Sequence, residues 1–273
     1  MITFALANVR LFLENMEHVR PKKSLGQHFL KDLRVAAAIA DTVDACPELP
    51  ILEVGPGMGV LTQFLAQKGR ELRVVEIDRE SVAFLRENFT AFDSEDSIIG
   101  ADFLKMHLDE TFDGRKFVLT GNYPYNISSQ IFIKMLEYKD YIPCCTGMIQ
   151  REVAERLAAK PGTKAFGILT VLVQLWYDVE YLFTVPPGVF NPPPKVQSAV
   201  VRMTRNATTD PGCDTALLVR IVKQAFQQRR KMLRGSLRGL MPEGHEFATQ
   251  RPEQLSVADF VRLTNDIAAC LPS

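Results

Sequence analysis

The clearest pattern in the chain is an alternation of short apolar runs with amphipathic runs, beginning with the run that contains Leu52 and Val54. The runs that follow are residues 72–77, 81–89, 97–100, 117–121 and 127–136. Because parallel strands need a crossover between them, this alternation predicts a parallel sheet with helices on both faces. In such sheets ligands lie outside the carboxyl ends of the strands. Polar residues that follow the strand-like runs are therefore candidates for a binding site.

The first apolar run leads directly into three glycines, Gly55, Gly57 and Gly59. Glycine permits positive φ and lets a ligand touch the main chain, and the run 60–65 is expected to present a helix N-terminus. A dinucleotide-binding turn would need the spacing G-x-G-x-x-G, whose last gap is missing here. The loop therefore favours S-adenosylmethionine as the cofactor. An ordinary strand-to-helix turn is the structural alternative.

Three polar residues follow successive predicted strands, namely Glu76, Asp102 and Asn122. Glu76 can accept hydrogen bonds from both ribose hydroxyls, and Asp102 can accept one from the adenine amino group, each bond being charge-assisted. A single acid at a strand end is commonly a helix cap instead. Three polar residues at successive strand ends predict one site beside the glycine loop.

The segment Asn122–Tyr125 is predicted to carry the reaction chemistry. An exocyclic base amine is a poor nucleophile because its lone pair is delocalised into the ring. The Asn122 side-chain carbonyl and the Tyr123 backbone carbonyl can each accept one N–H, which directs the lone pair at a sulfonium methyl, while Pro124 fixes φ. Tyr125 offers a stacking face to a base taken out of its helix. The structural alternative is a turn, since N-x-P is a common turn sequence.

Composition limits the function classes. The 273 residues are 47% hydrophobic and 23% charged, which indicates a folded chain with one large and one small domain. No membrane span is predicted. The five cysteines have no C-x-x-C spacing and the four histidines lie far apart, so neither a metal site nor a disulfide framework is indicated. A reducing cytoplasm fits best.

The first nineteen residues carry an apolar helical stripe, made of Leu6, Val9, Leu13 and Met16. No basic stretch precedes it and no small-residue cleavage site follows, so a signal peptide is not expected. Two interpretations stay open: an accessory helix, or an upstream start with Met16 as the true one.

The C-terminal part, from about Asn206, is predicted to be helical and is differently charged. No acid occurs between Thr215 and Pro242, whereas seven Lys and Arg do, so the rest of the chain, whose total is zero, carries minus seven. Residues three or four apart could share one helical face that contacts phosphates. They are Lys223, Gln227, Arg230, Arg234 and Arg238. A solvated helix face is the alternative.

Four segments together resemble the KsgA/RsmA-type small-subunit ribosomal RNA adenine dimethyltransferases, and the resemblance covers nearly everything after Val19. They are KSLGQHFL (23–30), EVGPGMG (53–59), GNYPYNISS (121–129) and VFNPPPKVQSAV (189–200). The sequence departs from the family in two places, having Tyr123 where Leu is frequent and His28 where Asn is frequent. Tyr123 contributes its backbone carbonyl whatever its side chain, so catalysis is not placed in doubt.

The resemblance implies a class I, Rossmann-like methyltransferase with a seven-stranded α/β sheet and a small helical C-terminal domain. It implies N6,N6-dimethylation of two adjacent adenosines in the 3′-terminal hairpin of 16S rRNA, within a precursor of the small ribosomal subunit. We expect a monomeric cytoplasmic enzyme with an extension of unknown role (1–19), a catalytic domain (20–206) and an RNA-binding domain (207–273). The implied cofactor contacts are His28, Leu30, Gly55, Gly57, Glu76, Asp102 and Asn122.

The proline-rich stretch 191–194 predicts a stiff loop that walls the target-base pocket. Phe190, just before it, is a candidate second stacking face for the base, and a rigid linker between strands is the alternative. We group Phe190 with the basic residues of the C-terminal part as predicted RNA contacts.

Three function classes stay open. The first is the dimethyltransferase described above. The second is another base methyltransferase, acting on 23S rRNA adenine or on DNA adenine. The third is a non-catalytic RNA-binding or transcription factor of the same fold, against which the intact Glu76, Asp102 and Asn122 argue.

Overall fold

A computed structural model describes residue 22 and residues 27–89 and 95–271 of the chain. The predicted apolar stripe of residues 1–19 and most of the basic loop at 20–26 lie outside the described residues.

Short strands and helices alternate along the described chain, as the sequence pattern predicts. The strands are β1 (Phe29–Leu30), β2 (Ile51–Val54), β3 (Leu72–Glu76), β4 (Ile98–Gly100), β5 (Val118–Thr120), β6 (Cys144–Gln150), β7 (Tyr177–Val185), β8 (Phe190–Asn191) and β9 (Ser198–Arg205). The α-helices are α1 (Leu33–Asp41), α2 (Thr62–Ala66), α3 (Arg79–Asn88), α4 (Ser128–Glu137), α5 (Arg151–Leu157), α6 (Ile168–Gln174), α7 (Thr215–Gln227), α8 (Leu233–Ser236) and α9 (Val257–Cys270). Short 3₁₀ turns occupy Thr42–Ala45, Glu95–Ser97, Phe103–Lys105, Pro187–Val189 and Pro252–Gln254.

Within the described residues, seven strands form one sheet in the order β4-β3-β2-β5-β6-β9-β7. Strand β2 pairs in parallel with β3 and β5, β3 pairs in parallel with β4, and β5 with β6. The predicted seven-stranded sheet and its parallel strands are confirmed. A separate two-stranded ribbon, in which β1 pairs antiparallel with β8, was not predicted.

The central strands are buried along their whole length, because helices cover a parallel sheet on both faces. All residues of β2 and β5 are buried. Their side chains are aliphatic apart from Thr120 and Glu53, and Glu53 is 1% exposed. A carboxylic acid in the middle of a buried strand is costly unless it is hydrogen-bonded or protonated. Glu53 therefore needs a hydrogen-bond partner or a bound proton.

Aspartate side chains begin several helices. The Asp78 side chain caps α3 by accepting a hydrogen bond from the Glu80 N–H, and Asp214 caps α7 by accepting from the N–H groups of Ala216 and Leu217. Loss of such a cap costs about 1 kcal/mol. The cap at Asp78 also fixes the backbone directly after β3, where the candidate site begins.

The chain divides into two compact units. One comprises the described residues within Met1–Arg151 and Leu182–Met203, and the other those within Glu152–Tyr181 and Thr204–Ser273. The division near 203 lies close to the predicted boundary at 206, but the prediction did not include the segment before Leu182 in the second unit. Aromatic packing accounts for the difference, since the ring of Phe166 lies 6.4 Å from that of Phe226 on α7. No helix of the described chain combines the length and the apolar character that crossing a membrane requires.

Candidate active site

With the exception of Phe190, the predicted site residues of the first unit meet at one cavity of about 230 Å³, outside the carboxyl ends of β2, β3 and β5. Those that line it are His28, Leu30, Gly55, Gly57, Glu76, Asp102, Asn122, Tyr123, Pro124 and Tyr125. The sequence places them in five separate segments, and the fold brings these segments together.

The glycine loop depends on backbone conformations that other residues adopt only under strain. Gly55, Gly57 and Gly59 have φ of 69°, 55° and 79°. A Cβ on Gly57 would also lie 3.0 Å from the Phe29 ring, and one on Gly55 would lie 3.6 Å from Pro124. The predicted need for glycine is thereby confirmed. The helix that follows, α2, begins only at residue 62 and is five residues long, so its dipole contributes less than the sequence suggested.

The Glu76 carboxylate, 5% exposed, is held by three backbone N–H groups. Its Oε2 accepts from Gly57 at 3.0 Å, and its Oε1 accepts from Ile77 and Asp78, both at 2.9 Å. A carboxylate has about four lone-pair sites, so one stays open on Oε2. Burial raises the pKa of Glu76, and the three N–H bonds oppose that rise. One ribose hydroxyl can donate a hydrogen bond to the open site on Oε2. For both ribose hydroxyls to bind Glu76, one of the three backbone N–H bonds has to break.

Asp102 serves as a cap and as a pocket wall at once. One oxygen accepts a hydrogen bond from the Leu104 N–H at 3.0 Å, at the start of the Phe103–Lys105 turn. The other oxygen lies 3.6 Å from Lys105 Nζ. The two interpretations of Asp102 from sequence are therefore compatible, because Asp102 lines the cavity and its carboxylate can accept more hydrogen bonds than the one from Leu104.

Asn122 and Tyr123 each have a carbonyl oxygen that accepts no hydrogen bond from a described residue. Asn122 Nδ2 donates to the His28 carbonyl at 3.1 Å, which orients the amide and leaves Oδ1 without a partner among the described residues. The Tyr123 N–H donates to the Met148 carbonyl at 3.0 Å, and its phenol donates to the Thr146 carbonyl at 3.0 Å. No described residue donates to the Tyr123 carbonyl. These are the two acceptors that the predicted chemistry requires.

Two further glycines make room for the buried ring of Tyr123. A Cβ on Gly147, whose φ is 145°, would collide with the Gly121 carbonyl and with the Tyr123 ring. A Cβ on Gly121 would collide with the Val54 carbonyl. The backbone that presents the Tyr123 carbonyl is thus fixed from both sides.

The Tyr125 ring already has a neighbour on one side. The His28 imidazole stacks on it with ring centroids 5.5 Å apart and planes tilted by 30°. His28 Nδ1 lies 2.8 Å from the Pro192 carbonyl, and the Tyr125 hydroxyl is hydrogen-bonded to Ser198. Burial raises the pKa of the Tyr125 phenol. A base that stacks on the His28 side requires His28 to move aside.

The β1–β8 ribbon explains why the first and last of the four segments belong together. It pairs Phe29 with Asn191 and Leu30 with Phe190. The Phe190 side chain is 1% exposed and packs in the hydrophobic core. The prediction of Phe190 as a stacking face for the base is therefore wrong in this structure. Its ring packs in the core and does not line the cavity.

Two residues of the cavity wall that the sequence analysis did not predict, Ile77 and Glu53, matter for the chemistry. Ile77 lines it and is 53% exposed, an apolar surface suited to a flat ring. Glu53 also lines it, with Oε2 accepting from the Thr62 hydroxyl at 2.7 Å. Burial, followed by the neighbouring charge of Glu76, raises the pKa of Glu53 to about 8. Its signal was a lone acid within the run Ile51–Val54.

The basic residues of the second unit do not form one helical stripe, which corrects the prediction. Helix α7 ends at Gln227, and Gln228 leaves the helical region with φ −120° and ψ 48°. Tertiary packing overrides helix propensity here, because Leu233 is fully buried and its N–H donates to the Gln250 carbonyl. Lys223 therefore lies on α7, Arg230 in the turn and Arg234 on α8.

A groove of about 550 Å³ runs along α7 in the second unit. Two cations line it, Arg220 and Lys223, together with the amides of Gln224, Gln227 and Gln228. Among the described residues the following exposed cations form no salt bridge: Arg220, Lys223, Arg230, Lys231, Arg234 and Arg238. This surface offers unneutralised positive charge to a polyanion.

The residues that line the cavity fit S-adenosylmethionine in their chemistry and charge. Glycines with positive φ allow a ligand against the main chain, and Glu76 keeps an acceptor for a ribose hydroxyl. Two buried carboxylates without a salt bridge in the described chain, Glu53 and Glu76, suit a cofactor whose net charge is positive. The described residues contain no group of His, Cys, Asp or Glu arranged to hold a metal ion.

Comparisons with known proteins agree on a family. A family model described as "Ribosomal RNA adenine dimethylase" matches residues 19–268. "Ribosomal RNA small subunit methyltransferase A" of Phocaeicola vulgatus is 65% identical over 258 residues, covering 93% of this chain and 91% of that protein.

Solved structures agree on the fold. A dimethyladenosine transferase from Plasmodium falciparum superposes with a TM-score of 0.72 at 23% identity, covering 89% of this chain and 98% of that one. The 23S rRNA methyltransferase ErmE superposes with a TM-score of 0.64 at 29% identity, covering 87% and 99%. The predicted class I methyltransferase fold is confirmed.

Proposed function

Because the chain belongs to the ribosomal RNA adenine dimethylase family, we propose that it dimethylates the N6 amines of two adjacent adenosines in the 3′-terminal hairpin of 16S rRNA. The observation that carries this proposal is the pair of open acceptors, Asn122 Oδ1 and the Tyr123 carbonyl, at the wall of a cavity that fits S-adenosylmethionine. The family's substrate is rRNA and its cofactor is S-adenosylmethionine.

In the proposed mechanism the two carbonyls act on the adenine amine. Each accepts one N–H, so that the nitrogen lone pair is withdrawn from the ring and aimed at the reacting carbon. The bound cofactor supplies a sulfonium methyl group as the electrophile. The bond from Asn122 to the His28 carbonyl keeps Oδ1 in position, and the buried phenol of Tyr123 keeps its carbonyl in position. No strong general base is needed, because the alkylated nitrogen is acidic and loses its proton to water.

We assign the cofactor contacts to residues of the cavity wall. Glu76 takes the ribose, Asp102 takes the adenine amino group, and Gly55 and Gly57 pass close to the methionine part. Ile77 covers the adenine ring. The remaining predicted contacts, His28, Leu30 and Asn122, also line the cavity.

The RNA is proposed to bind through the exposed cations of the second unit. The groove residues Arg220 and Lys223 contact phosphates, and so do three of the cations that follow α7, namely Arg230, Arg234 and Arg238. We propose a cytoplasmic monomer acting on a precursor of the small ribosomal subunit.

A direct test incubates the purified protein and labelled S-adenosylmethionine with small and large ribosomal subunits from cells that lack the modification. We expect four methyl groups per small subunit, located by mass spectrometry on two adjacent adenosines of the 3′-terminal hairpin. Labelling of 23S rRNA instead would favour an activity like that of ErmE, to which the chain is less similar in sequence. No transfer to either subunit would favour the non-catalytic alternative.

A further inference from the structure

Two carboxylates, Glu53 and Glu76, lie on one face of the sheet. Glu53 on β2 is opposite Val74 on β3, and Glu76 is two residues beyond Val74. Side chains two residues apart on a strand share a face. The two acids, 1% and 5% exposed, therefore lie on one face of adjacent strands, and both line the cavity.

The two acids differ in the number of hydrogen bonds that they accept. Glu76 accepts three backbone N–H bonds, which stabilise its ionised form. Glu53 accepts one hydrogen bond, from Thr62. Its partner in register on β5, Thr120, has a buried hydroxyl without a hydrogen bond. Since two neighbouring buried carboxylates resist double ionisation, Glu53 is the member of the pair that holds a proton.

Among the described residues, no Lys or Arg forms a salt bridge that would offset this charge. In the described chain neither acid forms a salt bridge, and the ammonium of Lys22 pairs with Asp78 and Glu80 instead. Helix α2 and strand β5 present no titratable side chain. The other titratable groups that line the cavity or adjoin Glu76 are His28, Asp78, Asp102, Tyr123 and Tyr125. The raised pKa of Glu53 is consistent with this excess of acids.

We propose that Glu53 is protonated in the cofactor-free protein and releases its proton to solvent when S-adenosylmethionine fills the cavity. The inference rests on the proposed function. The step breaks the O–H bond of Glu53, leaves the electron pair on the carboxylate and involves no redox change. S-adenosylmethionine carries a net charge of +1, so it stabilises the ionised form. S-adenosylhomocysteine lacks the sulfonium charge, and with it Glu53 keeps more of its proton.

Calorimetry measures the exchange without any turnover. S-adenosylmethionine is titrated into the full chain in phosphate and in Tris, whose ionisation enthalpies differ, and the difference gives the protons released. With a pKa of about 8 in the free protein, we expect about 0.9 proton per cofactor at pH 7 and about 0.1 at pH 9. Between pH 6 and 7 the dissociation constant should fall about tenfold.

Matched variants and ligands locate the proton. Glu53→Gln keeps the size and the Thr62 contact of the side chain, and its proton release at pH 7 should fall below about 0.2. Glu80→Gln removes an acid that is 61% exposed and should release as many protons as wild type. With wild type, S-adenosylhomocysteine should release fewer protons than S-adenosylmethionine.

Each outcome has one meaning. Binding of S-adenosylmethionine without proton release, or full release from Glu53→Gln, would overturn the inference and leave the proposed function intact. Equal release with both ligands would overturn the claim that the sulfonium charge drives the exchange. No binding of S-adenosylmethionine between pH 6 and 9 would overturn the proposed function and this inference with it.

Discussion

Replacement of Asn122 by alanine separates catalysis from cofactor binding. The variant loses one of the two acceptors for the amine and also the 3.1 Å bond to the His28 carbonyl. The lost bond costs about 0.5–1.5 kcal/mol of local stability, which limits the loss of cofactor affinity to about tenfold. Loss of positioning should cost at least about 2.7 kcal/mol in the transition state, or a hundredfold in rate.

The assay for Asn122→Ala pairs calorimetric titration of S-adenosylmethionine with single-turnover methyl transfer to small-subunit RNA. Asn126→Ala is a matched control, since this asparagine lines the same cavity but is exposed. We expect its rate and affinity to stay within threefold of wild type, a difference of about 0.65 kcal/mol. An equal loss of affinity and rate in Asn122→Ala would refute the reasoning, because it would mean that Asn122 mainly holds the cofactor and does not position the amine.

Three further predictions address the cofactor, the scaffold and the RNA surface. Glu76→Ala should weaken S-adenosylmethionine binding by about 1.5–3 kcal/mol in calorimetry, and unchanged affinity would remove Glu76 from the site. Gly147→Ala should destabilise the protein by about 2–4 kcal/mol in urea unfolding, because of its φ and the collision with the backbone, and a loss under 1 kcal/mol would contradict this. Replacing three exposed cations with Gln should lower the slope of log affinity against log salt by about 2–3 without changing the preferred adenosines, whereas identical slopes would make them a solvated surface. They are Arg230, Arg234 and Arg238.

Local sequence rules predicted the backbone of the glycine loop and the convergence of strand-end residues on one cavity. The three glycines require positive φ within a single turn, and their spacing revealed it. Glu76, Asp102 and Asn122 converge because the ends of parallel strands converge. The sequence did not distinguish between Asp102 as a turn cap and Asp102 as a ligand contact. In the structure the two roles are compatible.

Contacts between distant segments escaped the sequence analysis. Nothing local to Leu30 indicates that it pairs with Phe190, 160 residues away, so Phe190 was assigned to the RNA instead of the core. The break after Gln227 carries no proline or glycine, and it arises because Leu233 is drawn into the core of the second unit. The sequence shows an acid at Glu53 within an apolar run. Its raised pKa, however, depends in part on Glu76, which lies on the adjacent strand β3.

The most direct test of the central claim is rescue of rRNA modification in cells that lack this protein. Wild-type protein and Asn122→Ala are expressed to equal levels, and the 3′-terminal hairpin of 16S rRNA is analysed by mass spectrometry. The account predicts two adjacent N6,N6-dimethyladenosines with wild type and unmodified adenosines with Asn122→Ala. Full dimethylation by Asn122→Ala, or an unmodified hairpin with wild type, would contradict it.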